Sequence, residues 1–383
     1  MSEAIAERLP ISVLTGFLGS GKTTLLSRLL RHPGMARTAA VINEFGEVGL
    51  DHVLVERVDG DTVLLDSGCL CCTVRGDLVD TLRNLFLKRA RQEVPEFDRV
   101  VIETTGLADP APILHTLITD PLIAARYRLD GVISTVDAVH GAGQLDQHPE
   151  SVKQAAVADR IVLTKTDIAT PEQVATLTRR LLAINPGASA VPAVLGEIDP
   201  DRLFDAGLYD PRTKTADVRR WLNEEAYRDR QAGHGHDHHD HDHGHHHDHG
   251  HDHGADCAVP DCDDPHHHHD VNRHDDHIRS FVLYYDQPFK WPQVAQALDM
   301  LAATHGDKLL RVKGLLNVEE TDKPVVVHGV QHLFHPPGTL PAWPDDDRRS
   351  RLVVIAKDLA KETVAATMSG FLALERSVPV ERV

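Results

Sequence analysis

No stretch of this 383-residue chain is apolar for long enough to cross a bilayer. The first 30 residues hold nothing like a secretory leader either, because the apolar run beginning at Ile11 is broken by Gly16, Gly19, Gly21 and Lys22. These absences predict a protein of the cytoplasm with no membrane partner. Cysteine is also scarce: there are five, three of them in Cys69-Leu70-Cys71-Cys72, too few and too clustered for a disulfide framework but well suited to thiolate metal ligation in a reducing compartment. Positive charge is in deficit, 40 Lys and Arg against 58 Asp and Glu, for a net charge of −18. That balance argues against nucleic acid and anionic membrane surfaces, which reward basic patches. Much of the negative charge is local, since His234 to His277 carries twelve aspartates against one arginine.

The length is too great for one typical domain and points to two domains joined by a distinctive segment. Ile11–Thr15 reads as a strand running through a glycine-rich turn into a helix from Lys22 to Leu30. Further β-rich apolar runs follow at Ala39–Ile42, Thr62–Leu65, Arg99–Ile102, Gly131–Val136 and Arg160–Leu163. Stretches of helical spacing, such as Asp77–Arg91 and Pro171–Ile184, alternate with them. Nearly continuous apolar strands alternating with helices predict an α/β fold whose mainly parallel sheet is covered on both faces. This first domain is expected to span 1–215.

A linker over 216–277 follows. Between Gly233 and His253, twelve of 21 residues are histidine and most of the rest Asp or Gly, so nothing is available to build a core and the segment is expected to be disordered without metal. His234, His236, His238 and His239 open this tract as accessory ligands for weakly held Zn²⁺, Ni²⁺ or Co²⁺. Over 278–383 a smaller α+β domain is predicted, from strands at Phe281–Tyr285, Leu309–Val312, Leu315–Val318, Pro324–Val327 and Leu352–Ala356 and helices at Trp291–Ala303 and Lys361–Leu374.

Gly16-Phe17-Leu18-Gly19-Ser20-Gly21-Lys22-Thr23 satisfies the phosphate-loop pattern between a predicted strand and a predicted helix, the context that the pattern requires. Gly16, Gly19, Ser20 and Gly21 let backbone N–H groups turn toward phosphates, and Lys22 reaches the β and γ groups. Thr23 offers its hydroxyl to Mg²⁺, and Thr24 follows in the first helical turn. Val100–Glu103 is an apolar strand ending in a carboxylate, and Gly106 comes three residues later. Glu103 is therefore a candidate for the Mg²⁺ hydration shell and, with Glu44, for the base that activates water, while Gly106 is a candidate γ-phosphate switch. Thr164-Lys165-Thr166-Asp167 resembles the Asn-Lys-x-Asp guanine-reading motif, with threonine at its first position. An aspartate there accepts from guanine N1 and N2, which adenine cannot offer in the same way, so GTP is the expected nucleotide.

Cys69, Cys71 and Cys72 supply two or three soft ligands for Zn²⁺, Co²⁺ or Cu⁺ without closing a tetrahedron. An incomplete shell is what a transferable ion requires. Adjacent Cys71 and Cys72 would also be hard to bury together as plain apolar residues.

In this order the motifs resemble the CobW-like family of metal-handling GTPases, related more distantly to the nickel-insertion GTPases of urease and hydrogenase maturation. Asn43-Glu44-Phe45-Gly46, Gly68–Cys72, Glu103–Gly106, Thr164–Asp167, Asp307–Gly314 and Gly329-Val330-Gln331 carry the likeness. What it implies is a three-layer GTPase domain followed by a smaller domain, with slow, Mg²⁺-dependent GTP hydrolysis. GTP would reshape the cysteine loop and drive metal delivery to a client metalloprotein. Related nucleotide switches often work as dimers, so a nucleotide-dependent dimer enters as a candidate partner. A rival reading from another class is metal storage or sensing by the histidine tract, with GTP as a structural ligand. Deletion of residues 233–270 separates the two. A third reading is cobalt insertion in cobalamin synthesis.

Overall fold

A computed structural model of the chain describes residues 8–42, 63–66, 75–204 and 277–373. In the first domain, β1 (Leu9–Gly16) leads into α1 (Lys22–Leu30), and β2 (Thr38–Ile42) and β3 (Val63–Asp66) follow. After α2 (Arg75–Ala90) come β4 (Arg99–Glu103), α3 (Ala111–Thr119), α4 (Pro121–Ala124) and β5 (Tyr127–Asp137). The domain closes with α5 (Gly141–Gln147), α6 (Pro149–Val157), β6 (Arg160–Thr164), α7 (Pro171–Ile184) and β7 (Ser189–Ala193). The strands form one sheet in the order β3-β2-β4-β1-β5-β6-β7, and every pairing is parallel. Parallel strands must be shielded on both faces, and they are: Ile11 and Val13 pack with Leu82 and Leu114 on one side, while Leu14 packs with Leu25 and Leu29 of α1 on the other. Helix α7 begins as its residues demand, with Pro171 in the first turn and a capping box in which Thr170 and Gln173 each satisfy the other's backbone N–H.

β5 begins at Tyr127, earlier than its apolar run suggests. Asp130 interrupts that run, yet it is buried in the strand because the Ser12 hydroxyl donates to its carboxylate at 2.7 Å. The elements that periodicity passed over are α3, α4, α5, α6 and the short strand β7.

The second domain comprises β8 (Ile278–Tyr285), α8 (Trp291–His305), β9 (Leu309–Val318) and β10 (Thr321–Val330). The short strands β11 (Leu333–Phe334) and β12 (Gly338–Thr339), then β13 (Ser350–Lys357) and α9 (Lys361–Ala373), complete it. Its antiparallel sheet runs β11-β10-β9-β13-β8, with β12 also on β10. Strand alternation divides this sheet cleanly. Phe281, Leu283, Val325, Val327, Leu352 and Val354 face Val294 and Leu298 of α8 and Met368 of α9. Val282, Leu315, Val326, Val353 and Ile355 pack instead into a core with Leu177 and Leu181 of α7 and with Ala155 and Ala156 of α6. Both faces are buried, and one of the two cores belongs to both domains.

β9 is a single strand where the sequence suggests two runs separated by Lys313 and Gly314. Lys313 is buried in the strand because its ammonium lies 3.1 Å from the carboxylate of Asp159, in the first domain. At Gly314 a side chain would collide with Val327, since a Cβ there would lie 2.6 Å from Val327 Cγ2. Arg311 Nη2 donates to the same Asp159 carboxylate at 2.8 Å, so a three-residue ion cluster fastens the two domains. Among the described residues, no helix is long and apolar enough to cross a membrane.

Candidate functional site

Parallel registry brings the ends of four strands to one edge of the first sheet. Leu14 sits opposite Glu103, Gly16 opposite Thr135 and Asp137 opposite Thr164. Strand β1 lies between β4 and β5, the point where chain connections diverge and where an open parallel sheet leaves a crevice for a ligand.

In the turn after β1, Gly16, Gly19 and Gly21 all have positive φ, and Gly21, at φ 88°, is the residue from which α1 starts. The Lys22 side chain folds back over the turn and donates to the carbonyls of Gly16 at 2.9 Å and Phe17 at 3.1 Å. Burial lowers its pKa, and the nearby Glu103 carboxylate partly offsets that. The Ser20 hydroxyl turns into the sheet and pairs with Thr135 Oγ1 at 2.7 Å, so it braces the loop from behind. Thr24 is exposed in the first turn of α1.

Thr23 and Glu103 come together: Thr23 Oγ1 donates to Glu103 Oε1 at 2.7 Å, and Glu103 is only 3% exposed. A hydroxyl and a carboxylate side by side at the foot of the phosphate loop are a hard oxygen-donor set of the kind that suits Mg²⁺. Glu103 ends β4, and Gly106, three residues on, is pressed against the loop. A Cβ on Gly106 would lie 2.7 Å from the Leu18 backbone nitrogen, so this position accepts no side chain. Gln154 of α6 donates to the carbonyls of Gly106 at 3.2 Å and Ala108 at 3.0 Å. Asp109 then accepts from Lys153 at 2.8 Å and, across the domain boundary, from Gln331 at 3.1 Å. The loop that begins at Gly106 is therefore tied at one end to the phosphate loop and at the other to the second domain.

The Thr164–Asp167 segment, which resembles the guanine-reading motif, sits at the end of β6. Thr164, with a hydroxyl where the motif has a carboxamide, donates to the Ser20 carbonyl at 2.7 Å and so links this strand directly to the phosphate loop. Lys165 has φ 58° and its ammonium donates to Asp137 Oδ2 at 2.7 Å. Asp137 also accepts from the Val139 N–H at 2.8 Å and from His140. Burial opposes its charge, yet Lys165, the Val139 amide and His140 together hold its carboxyl below the usual range. Asp167 is exposed beyond Lys165.

Sequence reasoning passed over Asp137, Thr135, Gln154 and Asp109. Asp137 carried a signal, because it ends an apolar strand with a carboxylate just as Glu103 does. The others carried none, since each is defined by a partner far away in the chain. Several predicted residues lie outside the described ones: Asn43 to Glu47, the thiolate set Cys69, Cys71 and Cys72, and the tract with His234, His236, His238 and His239. Among the described residues, no three His, Cys, Asp or Glu side chains gather as a metal-holding group.

Comparison with known proteins adds to this geometry. Residues 10–192 match the CobW/HypB/UreG nucleotide-binding domain and residues 278–372 the cobalamin synthesis protein cobW C-terminal domain. Zinc chaperone YjiA of Escherichia coli is 32% identical over 362 residues, covering 94% of this chain and 98% of that protein. The zinc-regulated GTPase metalloprotein activator 1 of Schizosaccharomyces pombe is 33% identical over 204 residues, 51% of this chain and 48% of the relative. The crystal structure of Zn(II)-bound YjiA GTPase from E. coli superposes with a TM-score of 0.61 at 30% identity, over 95% of this chain and 99% of the other. With one such relative along nearly its whole length and both domain signatures in order, the chain belongs to the CobW/HypB/UreG family of nucleotide-binding proteins.

Proposed function

We propose that this chain is a metallochaperone in which GTP binding and hydrolysis govern the hold on a Zn²⁺ or Co²⁺ cargo and its delivery to a client metalloprotein. The chain is a GTPase, like the relatives it matches from end to end. Its phosphate loop and the Glu103–Gly106 segment form one hydrogen-bonded unit, in which Lys22 would serve the β and γ phosphates, while Lys165 and Asp167 after β6 would serve the base. Thr23 and Glu103 would hold Mg²⁺, which would neutralise charge developing on the phosphates. Cys69, Cys71 and Cys72 would hold the cargo as thiolates, and the histidine tract would buffer it.

The observation that carries this reading is the contact chain from Leu18 through Gly106 to Asp109 and Gln331. A group arriving beside Gly106 must displace a segment that has no slack against Leu18, and the displacement acts on a residue bonded to the second domain. Coupling of that kind is reciprocal, so tightening of metal by GTP implies tightening of GTP by metal.

The test is Zn²⁺ and Co²⁺ affinity by chelator competition on protein lacking residues 233–270, with no nucleotide, with Mg²⁺–GDP and with a Mg²⁺-bound non-hydrolysable GTP analogue. We expect about tenfold tightening with the GTP analogue alone, equivalent to about 1.4 kcal/mol, and its loss on Cys71→Ala. Equal affinity in all three states would overturn the coupling.

A further inference from the structure

At the edge of the first sheet opposite the phosphate loop, the starts of β1 and β5 meet the second domain around a cavity of 340 Å³. Leu117, Ile118 and Leu129 from the first domain and Val326 from the second give it aliphatic walls. Its polar lining is Arg8 and Arg128 on one side and His328 and His335 on the other, and none of the described residues lining it is acidic. Arg8 donates once, from Nη1 to the Ala124 carbonyl at 3.2 Å, while its buried Nε has no hydrogen-bond partner among the described residues. Neither arginine makes an ion pair among the described residues. The two imidazoles stack with centroids 3.8 Å apart. Burial keeps both well below the ordinary histidine pKa; at His328 its neighbour His335 and the Arg311 and Lys313 charges push the same way. Both rings are thus neutral at pH 7, and the charge in the cavity belongs to the arginines.

We infer that this cavity binds an organic oxyanion with an apolar body, a carboxylate or a phosphate ester, its head on Arg8 and Arg128 and its body against Leu117, Ile118, Leu129 and Val326. Partly buried guanidinium groups with unused donors favour an oxyanion, which can take two parallel N–H bonds from each. An aliphatic wall on the remaining sides favours a ligand that is more than the anion itself, in a volume typical of small-molecule sites. The site is separate from the nucleotide: β5 runs from Tyr127 at the cavity to Asp137 beside Lys165, roughly 30 Å at about 3.3 Å per residue. Because the walls come from both domains, the occupant binds only the docked arrangement and stabilises it.

The test uses the full chain saturated with Mg²⁺–GDP, so that the nucleotide site is filled. Octanoate, octyl phosphate, 1-octanol and inorganic phosphate are compared by calorimetry and thermal unfolding. We expect octanoate, octyl phosphate or both to bind once per chain with Kd below about 1 mM and to raise Tm, the tighter of the two identifying the head group. 1-Octanol lacks the charge and inorganic phosphate lacks the body, so each should bind at least roughly tenfold more weakly. Arg8→Gln/Arg128→Gln should abolish binding. Since Arg8 also holds the Ala124 carbonyl, Arg128→Gln alone is the second variant; it should weaken binding about tenfold with the ligand-free Tm unchanged. Absence of saturable binding by both anions, equal binding of 1-octanol, or full binding by Arg128→Gln would overturn the proposal.

Discussion

Replacing Asp159 with asparagine keeps the volume of the side chain and removes its charge. In the native fold one carboxylate oxygen receives Arg311 at 2.8 Å and Lys313 at 3.1 Å, and the other receives the Val132 N–H at 3.0 Å. An asparagine must present its amide NH₂ to one of these donors, and two cations that are 2% and 6% exposed lose the charge of Asp159 between the domains. Removing one partner of a buried pair costs about 3–5 kcal/mol. The cost is limited by Lys313, which can shed its proton. Burial outweighs Asp159 and pushes its pKa from 10.5 down to about 8. A lysine lowered in this way penalises the fold while charged, so native stability rises with pH between about 8 and 10.5, where only the unfolded chain holds the proton. Without Asp159 the lysine pKa falls further and the rise starts at lower pH. From pH 7 to pH 8 the variant should therefore gain up to about 1.4 kcal/mol, one proton's worth of linkage, and so recover up to about 1 kcal/mol relative to the native protein, whose own lysine begins to lose its proton over the same interval. Asp159 itself is held below its ordinary 3.8: burial opposes its charge, but Arg311 and Lys313 outweigh burial, so its own contribution is present above pH 3.8 and is lost as pH falls below it. Urea unfolding followed by tryptophan fluorescence at pH 7 and pH 8 measures all of this. A variant within about 1 kcal/mol of native at pH 7, or a deficit identical at both pH values, would refute the reasoning.

Three further outcomes follow from the nucleotide site. Gly106→Ala places a methyl 2.6 Å from Leu18 Cδ2 and 2.8 Å from its Cα; GTP turnover should fall about 10- to 100-fold while fluorescent GDP binding stays nearly constant, and unchanged turnover would exclude Gly106 as the switch. Asp137→Asn removes the anion that Lys165 meets at 2.7 Å; because Lys165 is partly exposed the loss of GTP affinity by calorimetry should be modest, about 3- to 10-fold, and no loss would mean that Lys165 needs no positioning. Asp167→Ala should collapse the preference for GTP over ATP by about 100-fold or more, read by competition binding; a retained preference would place guanine recognition elsewhere.

How much was legible in the sequence can be judged element by element. Helices α1 and α7 begin and end where glycine, proline and capping residues put them, because those signals act within a few residues. The phosphate loop and the carboxylate ending β4 were equally readable, since a turn and the strand before it are adjacent in the chain. Strand β9 was not: a lysine and a glycine in its middle look like a break until Asp159 and Val327 supply the reasons for them. Asp130 masks the start of β5 in the same way until Ser12 is beside it.

What the sequence determined by itself is the chemistry of short range: a strand, a glycine-rich phosphate loop, a helix, and a Thr-Lys-Thr-Asp segment at the end of a later strand. What only the tertiary structure decided is which distant groups meet. Arg311 finds Asp159 across 152 residues and Gln331 finds Asp109 across 222, and the cavity between the domains takes its arginines from one domain and its imidazoles from the other. The physical reason is that local propensity and periodicity constrain a residue through its chain neighbours, whereas a buried ion pair or a shared cavity wall exists only once two independently formed sheets have packed against each other.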